Sequence, residues 1–247
     1  MALASGHIGL DAHLLFLKGG YRGAGVSHYI YHLLSHLAEA DGALRYTAYL
    51  PFRCPTLPEA IQQSVTSWPT WRPPVRILWE QLIAPIVAVR QGIDLWHALV
   101  NVQPFLLPCP SLVTIQDLSF IHYPSSFHLG KRAYNRVLAY LTAHRARHII
   151  AISQSTKEDI VCYFRVPPSK VTVVYMGVDS SFQPLFDATA AAAFRQRKGL
   201  PTKMILFVGT IEPRKNLIRL VEAFALLKEA GIPHHLVIGG GKGWLYY

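Results

Sequence analysis

Short apolar runs alternate with longer segments of helical period over most of the chain. Six short runs rich in β-branched residues predict strands, near residues 8–16, 45–50, 94–98, 111–115, 148–152 and 171–175. Apolar stripes of helical spacing follow Gly25 and Leu129, and Ser153 is placed to cap a third helix. This alternation is typical of a parallel sheet with helices on both faces, so the predicted fold class is α/β.

The periodicity is interrupted after the sixth predicted strand. Residues 177–184 have the composition of a turn and linker, and a short alanine-rich helix follows. Next come a strand, a helix and the start of a further strand, near 204–208, 216–230 and 236–238. The predicted organisation is a Rossmann-like domain, a linker with a short helix, and the beginning of a second Rossmann-like domain, at 1–180, 181–203 and 204–247. Because such a domain needs on the order of 150 residues, we expect the second one to be truncated.

The composition is that of a globular protein of the cytosol. Hydrophobic residues make up 51% of the 247 residues and charged residues 15%, which is enough for a buried core. The three cysteines Cys54, Cys109 and Cys162 are far apart, so neither a disulfide framework nor a thiolate metal site is predicted. No secretory signal is evident, and the apolar stretch 77–89 is shorter than the roughly 20 residues of a membrane helix. We therefore expect a cytoplasmic protein.

The net charge of +10 favours an anionic partner. Nucleic acid is one class of anion, but the basic residues are scattered and neither zinc-finger spacing nor an RNA-recognition aromatic motif occurs, so we expect no nucleic acid. Basic residues gather on the helix after Leu129 and just beyond it, at Lys131, Arg132, Arg136, Arg145 and Arg147. A solvated surface is the simpler interpretation of this basic face, and contact with an anionic membrane surface is implied only by the family resemblance described below.

A glycine-rich loop lies between the first predicted strand and the first predicted helix. It runs from Gly19 to Gly25 and includes Gly23. Glycines at such a turn allow backbone N–H groups to approach a phosphate, although an ordinary flexible turn has the same composition. A dinucleotide site would also require an acidic residue after the second strand, where the chain reads Tyr49-Leu50-Pro51-Phe52. NAD and NADP are therefore not expected.

A second candidate loop follows the strand at 204–208. Arg214 and Lys215 are predicted at the start of a helix, where positive charge opposes the helix dipole. A bound diphosphate would relieve that conflict by accepting from both side chains at the carboxyl end of a strand. The alternative is a solvated basic turn.

The sequence around this second loop resembles a known signature. The run Phe207-Val208-Gly209-Thr210-Ile211-Glu212-Pro213-Arg214-Lys215-Asn216-Leu217 is similar to the donor loop of glycosyltransferase family 4, which comprises retaining enzymes with the two-domain GT-B fold. The similarity continues in order over nearly the whole chain, at 9–12, 23–25, 79–81, 94–97, 114–118, 151–153, 173–179 and 220–224. We therefore expect a GT-B protein with a complete first domain.

The resemblance implies that a sugar nucleotide is held between the two domains. Its diphosphate would meet the glycine loop of the first domain and the loop of the second, at Gly23, Gly25, Gly209, Thr210, Arg214 and Lys215. Lys215 matches the phosphate-binding lysine of the family. Many members have an arginine where this chain has Thr210, so the second cation is expected at Arg214 or elsewhere.

The resemblance also assigns Gln116 and Asp117 to the catalytic centre. Family members commonly have a histidine at the position of Gln116, and an amide can hydrogen-bond to a sugar but cannot shuttle a proton. His97, near the end of the strand predicted at 94–98, is a candidate for contact with acceptor or donor, with a structural role as the alternative. His122 is a compensating candidate, although a surface histidine is the simpler interpretation.

The function that the resemblance implies is transfer of a hexose such as mannose, with retention, from a nucleotide-diphosphate sugar to a glycan or a lipid-linked glycan. The departing diphosphate would help to deprotonate the acceptor, so no cofactor and no metal are expected. His28, His32 and His36 share a helical period, but no carboxylate accompanies them as a ligand set. The paired glutamates of the family would fall beyond Tyr247, so we expect this fragment to be inactive alone. A non-catalytic relative that binds a glycan or a partner is the alternative.

Overall fold

The computed structural model describes residues 6–17, 23, 25–40, 42–184, 186–241 and 243. The chain divides into two compact units, residues 1–176, termed unit 1, and residues 177–247, termed unit 2.

Unit 1 is built on a seven-stranded sheet in which every pair of neighbours is parallel. The strands are β1 (His7–Asp11), β2 (Arg45–Leu50), β3 (Ile61–Val65), β4 (Leu95–Ala98), β5 (Ser111–Ile115), β6 (His148–Ala151) and β7 (Val171–Val173). Their order is β3-β2-β1-β4-β5-β6-β7. The chain thus moves outward from β1 to β3 and then returns to β4 on the other side of β1. The parallel α/β sheet expected from the sequence is confirmed.

The largest differences from the sequence prediction concern β1 and β3. β1 ends at Asp11 rather than near residue 16, because the chain turns at Ala12, whose carbonyl accepts from Leu15 N at 2.9 Å. β3 was not predicted, since its sequence Ile-Gln-Gln-Ser-Val is mostly polar. It is an edge strand, and the amide of Gln63 pairs with the backbone of Cys54 at 2.9 Å in both directions. The polar side chain of Gln63 is therefore satisfied at this edge of the sheet.

The helices of unit 1 are α1 (Gly25–Ala40), α2 (Pro73–Leu78), α3 (Ala84–Arg90), α4 (Ser119–His122), α5 (Leu129–Arg145) and α6 (Gln154–Phe164). A single wide π turn, Trp79–Ile83, joins α2 to α3. In that turn Ala84 N–H donates to the carbonyl of Trp79, five residues earlier. The expected cap of α6 is confirmed, because the Ser153 side chain accepts from Thr156 N at 3.1 Å.

The two faces of the sheet bury separate apolar clusters. Trp96, Ile149 and Phe164 belong to the cluster on one face, and Leu10, Leu34 and Leu50 to the cluster on the other. β1 and β4 lie so close together that a Cβ on Gly9 would come within 3.0 Å of the Trp96 ring. Glycine at position 9 thus permits the packing of the two strands between which the strand order reverses.

Unit 2 contains α7 (Ala188–Lys198), β8 (Met204–Val208), α8 (Leu217–Glu229) and β9 (His235–Gly239). β8 and β9 pair in parallel. Asp187 caps α7 by accepting from Thr189 N at 2.8 Å and Ala190 N at 3.1 Å. Beyond β9, Gly240 has a φ of 148°, and a Cβ there would overlap the carbonyl of Gly209. Only glycine therefore allows this close passage of the two backbones.

Candidate functional site

The carboxyl edge of the unit 1 sheet collects polar residues from several strands. Asp11 ends β1, Gln116 follows β5 and Ser153 follows β6. In open parallel sheets, ligands bind at this edge, next to the point where the strand order reverses. In unit 1 that point lies between β1 and β4.

Asp11 and His13 form a tight hydrogen-bonded pair at the end of β1. His13 Nδ1 lies 2.9 Å from Asp11 Oδ1, and the His13 backbone N–H donates to the same oxygen at 3.4 Å. Because a carboxylate only accepts, Nδ1 carries the proton, and Nε2 is buried with no partner among the described residues. The imidazole packs against Trp79, with ring centroids 4.3 Å apart. The π turn thus supplies one wall of this site.

Glu80 brings a second carboxylate next to Asp11. It follows Trp79 in the π turn and is 8% exposed, and Arg76 Nε lies 3.1 Å from its Oε1. Burial, and next the charge of Asp11, raise the pKa of Glu80 far above its usual value, while Arg76 opposes the shift. Burial also raises the pKa of Tyr134 on α5, with a smaller contribution from the Glu80 charge. These groups therefore interact electrostatically as one cluster.

The ligand atoms of Asp11, His13 and Glu80 all lie within 4.8 Å of one another. Two carboxylates and an imidazole are a donor set that divalent cations accept. In this cluster the guanidinium of Arg76 already supplies a positive charge beside Glu80. The arrangement is chemically that of a buried ion-pair network at the expected ligand edge.

Gln116 and Asp117 lie where β5 ends. Gln116 is 8% exposed, and its backbone N–H donates to Asn101 Oδ1 at 2.9 Å. Its side-chain Nε2 is buried and has no hydrogen-bond partner in the described part of the chain. Asp117 Oδ1 accepts from Ser119 N at 2.9 Å, at the start of α4. The backbone is thus held firmly while one amide donor of Gln116 is left unsatisfied.

His97 lies in β4, and its ring is on the side of the sheet that α1 covers. Its Nε2 is 2.9 Å from Thr114 Oγ1, which is itself 2.9 Å from the hydroxyl of Tyr29 on α1. Burial lowers the pKa of His97 to about 4, so the ring is neutral at pH 7. These contacts support a packing role, and contact of His97 with substrate stays a prediction. His122 instead pairs with Asp159 at 2.7 Å on the surface.

The glycine loop is described only at its end. Gly23 has 3-10 helical geometry, and Gly25 begins α1, where an added Cβ would have no described heavy atom within 4 Å. Residues 18–22 and 24 lie outside the described residues. A role for Gly23 and Gly25 in donor binding stays a prediction.

The basic loop of unit 2 precedes its helix rather than opening it. α8 begins at Leu217, and Arg214 and Lys215 occupy a 3-10 turn, Pro213–Lys215, that ends at Asn216 with a φ of 53°. Arg214 Nη2 and Nε donate to Glu212 Oε1 at 2.8 and 3.2 Å. The Lys215 ammonium has no hydrogen bond or ion pair with any described residue. Within the described part of this turn, Lys215 is thus the cation that lacks a counter-ion.

Gly209 and Thr210 connect β8 to this turn. Gly209 N donates to Gly239 O at 3.0 Å, and Ile211 N donates to Gly241 O at the same distance. The loop is therefore held against the chain that follows β9, and the backbone leading to Lys215 is ordered by main-chain hydrogen bonds.

Sequence reasoning assigned no role to Asp11, His13 or Glu80, although it noted the similarity of the segments that contain Asp11 and Glu80. A usable signal was present, because Glu80 is an acidic residue inside a strongly apolar stretch. Such a residue is buried at a cost unless it is paired, which marks it as structural or functional.

Comparison with known proteins relates this architecture to a family. Residues 23–182 match the model described as Glycosyltransferase Family 4, and residues 190–247 match that of Glycosyl transferases group 1. The chain belongs to glycosyltransferase family 4. The family resemblance expected from the sequence is therefore confirmed.

Relatives of this family 4 chain include mannosyltransferases. O-antigen chain mannosyltransferase B of Escherichia coli is 23% identical over 135 residues, which are 54% of this chain and 35% of the relative. D-inositol 3-phosphate glycosyltransferase of Xylanimonas cellulosilytica is 35% identical over 100 residues, which are 38% of this chain and 24% of the relative. The matched parts span about a third or less of these relatives.

Solved structures share the fold of this family 4 chain. Anabaena Alr3699/HepE, in complex with UDP-glucose, superposes with a TM-score of 0.64 at 18% identity, over 97% of this chain and 62% of that one. WaaG, a glycosyltransferase involved in lipopolysaccharide biosynthesis, gives 0.57 at 14% identity, over 94% and 70%. The predicted GT-B fold class is confirmed. Within the described residues, no helix combines the length and apolar character needed to cross a bilayer.

Proposed function

We propose that this family 4 protein transfers a hexose, such as mannose, from a nucleotide-diphosphate sugar to a glycan or lipid-linked glycan, with retention of configuration. The observation that carries the proposal is Lys215, a cation without a described counter-ion, in an ordered loop at the carboxyl end of β8. The mannosyltransferase relatives support the choice of sugar, and the UDP-glucose complex of HepE supports a nucleotide-sugar donor.

In the proposed donor site, Lys215 contacts the diphosphate. An exposed ammonium without a carboxylate partner can pair with phosphate without first breaking an ion pair. Arg214 is held by Glu212, and so it contributes charge near the site while keeping its own counter-ion. Gly209 and Thr210 bring backbone close to the same phosphate groups.

The proposed reaction breaks the bond between the anomeric carbon and the diphosphate oxygen and forms a bond from that carbon to an acceptor hydroxyl oxygen. The acceptor proton passes to the departing diphosphate oxygen. Lys215 stabilises the negative charge that develops on this leaving group. No metal or cofactor is needed in this scheme.

In unit 1, the proposed contacts are Gln116, Asp117, Gly23, Gly25 and His97. The buried Nε2 of Gln116, which has no partner among the described residues, is suited to donate to a sugar hydroxyl or to the leaving oxygen. Asp117 would act mainly by holding α4 and the adjoining turn in place.

We also propose peripheral contact with the anionic inner face of a membrane. A groove of about 510 Å³ on unit 1 is lined by apolar side chains that include Val137, Tyr140 and Leu141. Arg132, Arg136 and Arg165 line the same groove. Apolar side chains together with arginines suit a surface of anionic headgroups over acyl chains, where a lipid-linked acceptor would be found.

The experiment that tests the function uses the full-length protein with a panel of UDP, GDP and dTDP sugars. We expect saturable binding and transfer or donor hydrolysis with at least one donor. Lys215→Ala should abolish most of the activity, whereas Lys203→Ala, an exposed lysine outside the loop, should not. Absence of both binding and hydrolysis across the panel would refute the proposal.

The same assay tests two finer points. We propose that residues 1–247 alone do not turn over, so they should bind donor without transfer. The non-catalytic alternative predicts donor binding without transfer by the full-length protein as well. In that case Gln116→His, which introduces the usual family residue, tests whether glutamine at this position prevents transfer. If it does, the variant should raise transfer above background.

A further inference from the structure

A second cavity lies at the opposite edge of the unit 1 sheet. It has a volume of about 570 Å³ and is open to solvent at the amino ends of β5, β6 and β7. Its wall includes Gln103, Ser111, Arg145, Arg147 and Lys170. The groups assigned to catalysis and donor binding do not line it.

Three cations converge on this cavity, and no carboxylate is among the described residues of its wall. Arg145 ends α5, Arg147 immediately precedes β6 and Lys170 immediately precedes β7. None of the three forms an ion pair with any described residue. Sequence analysis grouped Arg145 and Arg147 with Arg132 and Arg136 as one basic face, but the structure divides these four arginines between two separate cavities.

Lys170 is held in place rather than free in solvent. Its Nζ donates to the carbonyl of His144 at 2.6 Å, near the end of α5. Partial burial lowers the pKa of Lys170. An anion in the cavity would favour the charged form of this ammonium.

The wall also contains a buried amide that is not satisfied. Gln103 is 1% exposed, its backbone N–H donates to Thr142 Oγ1 at 3.2 Å, and its carbonyl accepts from Gln81 Nε2 at 3.3 Å. Its side-chain Oε1 has no partner among the described residues. Oxygen and nitrogen of an amide exchange places by a half-turn of the group, so the same side chain can present a donor to an anion. Ser111 adds a hydroxyl to this wall.

We propose that this cavity binds a phosphate group carried by an organic molecule, at a site separate from the donor site. Three cations and a buried amide recognise the phosphate. The volume exceeds what a phosphate alone would fill, so the remainder accommodates the organic part. The phosphate comes either from a small phosphorylated metabolite or from a lipid headgroup, and the experiment distinguishes these sources.

In the first arm, the protein is titrated with inorganic pyrophosphate, and binding is measured from the NMR shifts of the backbone amides of Ser111, Arg147 and Val171. We expect saturable shifts at these three amides, with affinity lowered at least about tenfold in Arg145→Ala/Arg147→Ala. The control Arg53→Ala/Arg90→Ala removes the same charge from exposed positions outside the cavity and should bind as the parent does. Lys215→Ala should leave the three shifts unchanged, which separates this site from the donor site.

The second arm measures co-sedimentation with vesicles of phosphatidylglycerol and of phosphatidylcholine. Loss of binding to the anionic vesicles in Arg145→Ala/Arg147→Ala, with no pyrophosphate response, would identify a lipid phosphate as the source. Pyrophosphate shifts with unchanged sedimentation would identify a soluble phosphate. The proposal is overturned if pyrophosphate causes no amide shifts up to about 10 mM and Arg145→Ala/Arg147→Ala sediments with the anionic vesicles as the parent does. It is also overturned if the control double variant weakens binding equally.

Discussion

The carboxyl edge of the unit 1 sheet and the position of Lys215 in unit 2 are opposite environments for charged residues. At the carboxyl edge of unit 1, Asp11 and Glu80 are buried and are paired with His13 and Arg76. In the loop of unit 2, Lys215 is exposed and has no counter-ion among the described residues. A buried pair is costly to disturb because an unpaired charge remains in the interior, whereas an exposed cation can be removed with little effect on folding.

This difference in environment predicts that substitutions at the two places affect different properties of the protein. Substitutions in the unit 1 cluster should change the stability of the fold, and substitutions in the unit 2 loop should change ligand affinity. Unfolding and binding measurements on the same variants can break or sharpen this separation.

The largest expected effect concerns His97 and pH. Its pKa is about 4 in the folded protein, against about 6.5 in the unfolded chain. The neutral ring therefore contributes stability that is complete above about pH 6.5 and is lost as the pH falls toward 4, by about 3 kcal/mol in total. Urea unfolding followed by tryptophan fluorescence at several pH values measures this slope. His97→Gln should have a shallower dependence over this range, and an equal slope in both proteins would contradict a buried neutral histidine.

The next effect concerns Arg76. Arg76→Ala leaves Glu80 beside Asp11 without its cation. We expect a loss of about 2 kcal/mol in the free energy of unfolding at about pH 9.5, above the raised pKa of Glu80, a value reduced because Arg76 is partly exposed. Arg72→Ala, one helical turn earlier and exposed, is the matched control and should change stability little. Adding Glu80→Gln to Arg76→Ala should restore much of the loss, because the neutral amide needs no counter-ion. If Arg72→Ala costs as much, the ion pair is not the cause.

A third effect should appear in binding and not in folding. Lys215→Ala is expected to weaken binding of the nucleotide-diphosphate sugar about tenfold, which corresponds to about 1.4 kcal/mol. The thermal unfolding of the same variant should match that of the parent within about 0.5 kcal/mol. Calorimetric titration and circular dichroism provide the two measurements. A variant that unfolds early but binds normally would reverse the contrast between the two units.

The smallest effect tests a local cap in unit 1. Ser153→Ala removes the acceptor for Thr156 N at the start of α6, and we expect a loss of about 1 kcal/mol. Ser153→Asp should retain most of the stability, since aspartate is also a good cap. Urea unfolding of both variants measures the difference, and equal losses would show that the side chain at this position does not act as a cap.

Local patterns were enough to anticipate most of the fold. The runs 111–115 and 204–208 coincide with β5 and β8, because apolar and β-branched residues favour strands. β3 escaped notice because an edge strand needs no such run, and Gln63 is satisfied by the backbone of Cys54. The end of β1 was misplaced because the chain turns at Ala12, whose carbonyl accepts from Leu15 N.

The candidate site was less accessible to sequence reasoning. Lys215 and Gln116 were found because they lie within recognisable motifs. Arg76 and Glu80 were assigned no role because they are 65 or more positions from Asp11 along the chain. Only folding brings Glu80 close enough for the charge of Asp11 to raise its pKa.

The sequence by itself determined the class of fold, the family and the loop that contains Lys215. These depend on periodicity and on short contiguous motifs, which local interactions are sufficient to encode. Only the tertiary structure decided which charges are paired. It showed that Arg214 is bound to Glu212 while Lys215 has no described partner, and that Arg145 and Arg147 line a cavity with Lys170. The physical reason is that pairing and burial depend on backbone conformation, rotamers and solvent exposure in the folded chain, and spacing along the sequence does not contain those distances, even for neighbours such as Glu212 and Arg214.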